Sequence, residues 1–285
     1  MWRSALVRLR VTERNDESYF QIWTEDLGRR GVNEVCSALL TFFNMTEFSQ
    51  QAPHLVAWSD SCSGQNKNFG MLCFWQYMLL SNKLHSVVHK FPEPGHSYLD
   101  SDRDFAKIET VVKSTENIYS VDEYQTLIVN AFHKNRATVT RIGDKLFDIK
   151  KLCTDIGLKK QTVDVHGSKT EMRDKVRCSR ITEFGRYSYK HSLTEEEDWK
   201  DVVLTNNITP DCPTLTPLPQ RKRPVKAAKV NDLKKQLRFI PEVYHSLYNG
   251  LLSTTADETS AGEEEDDEPE PAVQISSNTA DQVCH

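Results

Sequence analysis

Closely spaced cysteine pairs are absent from this sequence. Its seven cysteines stand singly, and none of them forms a CxxC pair. Structural zinc sites and the disulfide frameworks of small secreted domains both need such spacings. The pattern argues against both kinds of site, and we expect reduced thiols in a nuclear or cytoplasmic protein.

Long apolar runs are also missing. The longest one, over 69–80, contains Gln76 and falls short of the ~20 residues that cross a bilayer. The first eleven residues carry arginines among their apolar residues, which is not typical of a signal peptide. We therefore expect neither a membrane partner nor secretion.

The chain beyond Gly250 lacks lysine and arginine, although it carries ten acidic residues. The remaining body has 36 basic and 31 acidic residues, so it is mildly basic while the whole chain has a net charge of -5. Such a body is compatible with a DNA or RNA partner but does not require one. The acidic, aromatic-poor stretch 251–285 has the composition of a disordered tail.

The local patterns that are present alternate between strand and helix, which predicts an α/β fold. Alternating apolar residues over 5–11 and 19–23 predict a hairpin, and 54–59 and 84–91 predict buried strands. Apolar spacings of three and four residues and capping residues predict helices over 32–43, 68–80, 100–113 and 120–132.

We divide the chain into five segments. They are an α/β core over 1–135, a β-containing extension over 136–208, a Pro-rich basic linker over 209–229, a short helical segment over 230–250 and the tail over 251–285.

The acidic residue best placed for chemistry is Asp60, which directly follows the predicted strand 54–59. Ligand sites of α/β proteins lie at the carboxyl ends of strands. Because Mg²⁺ takes oxygen ligands, further carboxylates would have to converge there, and Asp102 and Glu109 on a later helix are candidates. Two metals held in this way would activate water for phosphoryl transfer. The alternative is ordinary turn chemistry, since Ser, Gly and Asn follow Asp60.

Two blocks of this sequence are long and unusual. The first runs from Trp58 to Asn68 (WSDSCSGQNKN) and the second from Gly95 to Glu109 (GHSYLDSDRDFAKIE). With the GRRG segment at 28–31 and the IPEVYHSLY segment at 240–248, they resemble a large, uncharacterised family of transposon-derived eukaryotic proteins. The resemblance covers about 20–250.

This resemblance implies an RNase H-like fold, with a mixed sheet flanked by helices. It implies that Asp60 is the second acidic position of a Mg²⁺ or Mn²⁺ site and that Asp102, with Glu109, supplies the third. The chain begins about one strand too late for the family's first metal-binding aspartate, and Glu25 or, as an alternative, Asp26 is the candidate substitute. We therefore expect a fold that lacks its first strand and a catalytically degenerate copy.

Five cations are predicted to contact nucleic acid. Lys67 and Arg103 lie within the two blocks, and Arg221, Lys222 and Arg223 lie in the linker. The three linker residues are also typical of a nuclear import segment.

Three aromatic or histidine patterns have two interpretations each. His85 and His89 are four residues apart on a predicted strand, and we expect surface histidines rather than a zinc site. The aromatic helix over 69–80 is expected to pack in the core rather than stack on bases. Tyr187 and Tyr189, beside Lys190, are candidates for an exposed nucleic-acid contact.

Three functional hypotheses follow. The leading one is a transposase-derived, RNase H-like protein that binds nucleic acid weakly, in the nucleus or cytoplasm, with little or no catalysis. The second is a Mg²⁺-dependent nuclease or transposase that uses the predicted carboxylates. The third is a scaffold that binds other proteins through the linker and the acidic tail.

Overall fold

We analysed a computed structural model of the chain, which describes 4–11, 17–46, 53–93, 100–132, 136–143, 145–207, 210–219, 227–252 and 272–277. All structural statements below concern these residues. No helix among them is long and apolar enough to cross a membrane.

Nine strands form one mixed sheet. In chain order they are β1 (Ser4–Val11), β2 (Glu17–Thr24), β3 (His54–Ser59), β4 (Ser86–Lys90), β5 (Ala137–Arg141), β6 (Cys178–Ile181), β7 (Arg186–Lys190), β8 (Lys200–Val203) and β9 (Ala272–Ser277). Their order across the sheet is β5-β2-β1-β9-β3-β4-β6-β7-β8. The β1–β2 hairpin is antiparallel, β3 and β4 are parallel, and β6, β7 and β8 extend the sheet beyond β4 with antiparallel pairing.

The described residues also form seven α-helices. They are α1 (Val32–Met45), α2 (Phe69–Leu80), α3 (Asp100–Ser114), α4 (Val121–Asn130), α5 (Ile149–Asp155), α6 (Ala227–Gln236) and α7 (His245–Leu252). Two short 3₁₀ turns, Leu237–Phe239 and Glu242–Tyr244, lie between the last two helices. Side chains cap the starts of α2 and α4, where Asn68 accepts the Met71 N–H and Ser120 accepts the Glu123 N–H.

The two faces of the sheet bury different cores. On one face, α1, α2 and α5 cover β3 and β4, where Leu55, Ala57 and Val87 are buried. On the other face, α3 and α4 cover β2 and β5 around Phe20 and Ile22. Strand β2 is therefore buried on both faces, since its alternate residues enter the two cores.

The predicted α/β class and the mixed sheet flanked by helices are confirmed. The hairpin, the strands before Asp60 and Pro92, and the four predicted helices lie where the sequence places them, within a few residues. The aromatic residues of α2 pack in the core, as predicted.

The sheet is continuous across the predicted boundary at 135. Strand β5 pairs with β2, and β6 pairs with β4, so residues from 136–208 extend both sides of the core sheet. A further difference lies in the tail, where 272–277 form β9 between β1 and β3. Composition alone hides this strand because only six uncharged residues contribute to it, within an acidic stretch.

The polar residue inside the apolar helix α2 has a structural role. Gln76 is buried, its amide nitrogen donates to the Arg186 carbonyl at 2.6 Å, and its amide oxygen accepts the Gly185 N–H at 2.9 Å. The side chain thus satisfies two backbone groups in the β6–β7 turn, which a water molecule would otherwise have to satisfy. Gln76 therefore fixes β7 against α2.

We predict that Gln76→Leu lowers the free energy of unfolding by roughly 2–5 kcal/mol, because two buried backbone groups lose their partners. Urea denaturation followed by circular dichroism measures the change. Gln236→Leu, at an exposed position of α6, is the matched control and should leave the free energy of unfolding nearly unchanged. An equal, small effect of both substitutions would contradict this role of Gln76.

Candidate nucleic-acid interface

The loop that follows β3 is organised around the Asp60 carboxylate. Its Oδ1 accepts the Asn66 amide N–H at 2.7 Å and the Cys62 backbone N–H at 3.1 Å. The Cys62 carbonyl in turn accepts the backbone N–H groups of Asn66 and Lys67 at 2.9 and 3.0 Å. Asp60 is half-buried at the carboxyl end of a central strand, where it holds the turn that leads into α2.

The other predicted metal ligands lie on separate elements and have other partners. Glu109 is exposed on α3 and pairs with Lys113 at 2.7 Å. Glu25 pairs with Lys229 of α6. Asp102 lies in the first turn of α3, but its side chain is outside the described part of the chain. Among the described residues, no three His, Cys, Asp or Glu side chains could hold a metal ion together. Convergence of the four carboxylates thus stays a prediction.

The predicted cations fall into three different settings. Lys67 is buried, Arg103 is exposed on α3, and Arg221, Lys222 and Arg223 lie outside the described residues. The Lys67 ammonium has no hydrogen-bond partner among the described residues and lies 5.5 Å from the centre of the Phe91 ring. Burial, with the nearby Arg177 cation as a second cause, lowers the pKa of Lys67 to about 8.

His89 is buried, which corrects the expectation of a surface histidine. The Trp75 indole N–H donates to His89 Nδ1 at 3.2 Å, so Nε2 carries the ring proton and donates to Ser59 Oγ at 2.8 Å. Burial lowers the pKa of His89 to about 3, which keeps the ring neutral. Because Ser59 is fully buried and its hydroxyl accepts from His89, this Ser–His pair cannot act as a nucleophile and base.

Cations and aromatic rings lie side by side across one face of the sheet, from β3 to β8. Hydrogen-bond register places Trp58 opposite Lys90, Lys90 opposite Cys178, and Cys178 opposite Lys190. These four side chains lie on one face of the sheet because directly opposed residues of neighbouring strands share a face.

Two cation–π clusters form along this row. The Lys90 ammonium lies 5.0 Å from the Trp58 ring centre. The Arg180 guanidinium and the Lys190 ammonium lie 4.3 and 4.9 Å from the Trp199 ring centre. We call these five residues the cation–tryptophan row. The contacts orient the cations over the ring faces. Lys90, Arg180 and both tryptophans are half-buried, whereas Lys190 is buried and its ammonium also donates to the Thr194 and Glu195 carbonyls at 3.4 and 3.5 Å.

Cys178 lies between the cations of the row and is itself buried. Burial raises the pKa of the Cys178 thiol to about 11, although Lys90, Lys190 and Arg180 all act to lower it. The nearest described carboxylate on the same strands is Asp201, which accepts the Ser188 hydroxyl at 2.6 Å. The row brings three cations together, and the four acidic residues 195–198 directly precede Trp199 at its far end.

The helices on this face of the sheet leave the row half-open. Helices α3 and α4 cover the β1, β2 and β5 side of the same face, where Phe20 and Ile22 are buried. Trp58 and Trp199 are half-buried and belong to neither hydrophobic core. A partly exposed surface that contains Lys90, Arg180 and the two tryptophans remains beyond β9.

Sequence reasoning missed this row and selected its neighbours. Tyr187 and Tyr189, proposed as exposed, are buried in the core because they point to the opposite face of β7 from Lys190. The alternation of β7 could have shown this, because residues 187 and 189 point to one face of the sheet and residue 190 to the other. Nothing local connects Trp58 with Trp199, which are 141 positions apart in the sequence.

One described cavity, of about 440 Å³, lies away from the row between α1, α2 and α5. Apolar residues such as Val32, Phe69 and Leu158 line it. Its amide, Asn33, already accepts the Ile149 N–H at 3.0 Å, so the cavity offers few free polar groups for orienting a substrate.

Comparison with known proteins identifies a family. The model of a family described as Domain of unknown function (DUF7869) matches residues 10–184, which is more than half of the chain. No curated protein and no solved structure matches the chain. The chain therefore belongs to the DUF7869 family, as the expectation of an uncharacterised domain family anticipated. The matched region contains the Asp60 loop and the Trp58, Lys90 and Arg180 members of the row.

We predict that Lys67→Met raises the free energy of unfolding at neutral pH by on the order of 1–3 kcal/mol, because the native wild type buries an unpaired ammonium. Between pH 8 and 10.5 the native wild type loses this proton while the unfolded chain keeps it, so its stability rises with pH. The advantage of the methionine variant should shrink over the same window.

Urea denaturation at several pH values tests both parts of this prediction. Lys113→Met, at an exposed position of α3, is the control and should show neither effect. A constant difference between the Lys67→Met variant and wild type at all pH values would contradict the buried, charged state of Lys67.

Proposed function

We propose that this member of the DUF7869 family is a transposase-derived, RNase H-like protein that binds single-stranded nucleic acid weakly and has little or no catalytic activity. The single observation that carries the proposal is the cation–tryptophan row. The parallel β3–β4 pair with Asp60 at its carboxyl end, together with the two unusual sequence blocks, supports the RNase H-like assignment.

The chemistry of the row suits a polyanion that carries flat, apolar bases. Lys90 and Arg180 are half-buried and supply positive charge for phosphates, and the two tryptophans supply planes on which bases stack. Lys190 is buried and supports the Trp199 ring. Stacking on a protein ring requires a base that is not already stacked in a duplex, which favours single strands. The five strands from β3 to β8 span about 19 Å at ~4.8 Å per strand, enough for a short segment of backbone.

Weak binding is expected because only two cations of the row, Lys90 and Arg180, are half-buried rather than buried, and acidic residues 195–198 lie next to Trp199. Each phosphate contact adds a salt-dependent increment, and a few contacts give little affinity at physiological salt. The affinity would be higher if the bound nucleic acid also reached Arg103 and the linker cations Arg221, Lys222 and Arg223. The same linker cations favour a nuclear location, and a cytoplasmic one is the alternative.

The low catalytic activity follows from the partners of the described carboxylates. Asp60 holds its own loop, Glu109 pairs with Lys113, and Glu25 pairs with Lys229. A two-metal site needs its ligands within a few ångströms of one another, and misplacement by about 1 Å can cost ~100-fold in rate. If Mg²⁺ or Mn²⁺ does bind, Asp60 and Asp102 are the ligands to expect, and the ion would polarise a phosphate.

We predict that Trp58→Ala and Trp199→Ala each weaken binding of a short single-stranded oligonucleotide by roughly 5- to 100-fold, since a stacked base contributes ~1–3 kcal/mol. Fluorescence anisotropy at low salt measures the affinity. Phe239→Ala removes an exposed ring outside the row and is the matched control.

Lys90→Gln should also reduce the slope of log affinity against log salt by about 0.7.

Two results would overturn the binding proposal. One is wild-type protein with no affinity for single-stranded DNA or RNA at low salt. The other is equal affinity of the tryptophan variants and the Phe239→Ala control, which would move the interface elsewhere. Binding of a protein partner that is insensitive to salt, without nucleic-acid binding, would favour the scaffold hypothesis instead.

We also predict that the protein does not cleave a labelled oligonucleotide in Mg²⁺ or Mn²⁺ above the level of its Asp60→Asn variant. Calorimetric titration with Mn²⁺, run in parallel on both proteins, measures whether Asp60 binds the ion. Cleavage by the wild type that Asp60→Asn abolishes would establish the nuclease alternative. Equal cleavage by both proteins would indicate a contaminating nuclease.

A further inference from the structure

Strand β9 occupies the middle of the sheet although it comes from the far end of the chain. It pairs in parallel with β1, from Arg8↔Ala272 to Val11↔Ile275. It pairs antiparallel with β3, from Leu55↔Ser277 to Ser59↔Val273. It is the strand that joins the β5-β2-β1 side of the sheet to the β3-β4-β6-β7-β8 side.

The site of β9 is a slot with defined walls. Its two edges are the backbones of β1 and β3, about 9.6 Å apart because each strand spacing is ~4.8 Å. Helix α1 contacts β1 from one face, and α3 contacts β1 and β9 from the other. An empty slot would leave two rows of backbone N–H and C=O groups without partners between covering helices, which is costly. The fold therefore requires a strand in this place.

The covalent connection to this strand is long. Nineteen residues, 253–271, separate the end of α7 at Leu252 from the start of β9 at Ala272, and nine of them are acidic. A chain of this length can span up to about 65 Å when fully extended. A connection of this length does not by itself restrict the strand to the slot of its own molecule.

Backbone pairing is the same whether the strand comes from the same chain or from another. The hydrogen bonds of β9 use main-chain groups of β1 and β3, and six uncharged residues without proline supply them. Every copy of the protein carries both the slot and a strand that fits it. Reciprocal exchange between two copies fills both slots without any new contact, which makes exchange a low-cost route to a dimer.

We propose that the slot between β1 and β3 is an interaction surface whose partner is the β9 strand of a second copy of this chain, so that two copies exchange their C-terminal strands. The tethered strand competes at an effective concentration in the millimolar range, so monomers predominate in dilute solution and exchanged dimers form when concentrated chains fold together. This inference is independent of nucleic-acid binding.

Disulfide trapping in full-length protein tests the exchange. Val56 of β3 lies opposite Ser276 of β9, so one tagged copy carries Val56→Cys and a differently tagged copy carries Ser276→Cys. The two are refolded together and oxidised, and mass spectrometry of the crosslinked peptides identifies the linkage. We expect a Val56–Ser276 position linkage between the two tags. The control copy carries Gln274→Cys in place of Ser276→Cys. This cysteine is two residues away from the position opposite Val56 and should give much less crosslinked dimer.

A proline variant tests whether the dimer uses the strand. Ile275→Pro removes a ladder N–H in the middle of β9 and should abolish co-purification of the two tags, whereas Val283→Pro lies beyond the strand and should not. Light scattering should show twice the 32.8 kDa chain mass only for copies able to exchange.

Two outcomes would overturn the proposal. The first is absence of the intertag linkage at all protein concentrations. The second is a dimer that persists in the Ile275→Pro variant, since its interface would lie outside the slot. If Ile275→Pro fails to fold, the trapping experiment alone decides, because it leaves the backbone of β9 intact.

Discussion

The alternation of side chains along β3 and β4 is the constraint on which the rest of this structure depends. It sends Leu55, Ala57 and Val87 into the core beneath α1 and α2, and it leaves Trp58 and Lys90 on the opposite face. A shift of β4 by one residue would place Lys90 in the core and Val87 outside. The burial of one face thus fixes the composition of the other, where the cation–tryptophan row lies.

The polar residues at the end of β3 and β4 depend on the same alternation. His89 faces the core, where it accepts the Trp75 N–H and donates to Ser59, and this chain of hydrogen bonds ends at the Asp60 carbonyl. Two parts of Asp60 are therefore fixed. Its carbonyl accepts the Ser59 hydroxyl, and its carboxylate accepts N–H groups from Asn66 and Cys62. Hydrogen bonds of this kind suit a residue that shapes a loop, and they explain why a strand-end aspartate need not act on a metal.

The cation–tryptophan row and the slot of β9 lie next to each other in the same sheet. Register places Trp58 opposite Gln274 of β9 on one side and opposite Lys90 on the other. The strand that completes the sheet therefore also forms the border between the half covered by α3 and α4 and the half that carries the row. Binding of nucleic acid and exchange of the C-terminal strand would use different groups, since the first needs side chains on one face and the second needs main-chain edges.

The sequence by itself determined the helices, most strands, the capping residues and the core assignment of α2, because periodicity and capping depend on residues within a few positions of one another. It also located Asp60 at a strand end. Tertiary structure decided the rest: the burial of His89 and Lys67, the separate partners of Glu25 and Glu109, the contacts of Trp58 and Trp199 with cations from β4, β6 and β7, and the place of β9. These features arise from hydrogen-bond register between strands far apart in the chain, which no local pattern encodes.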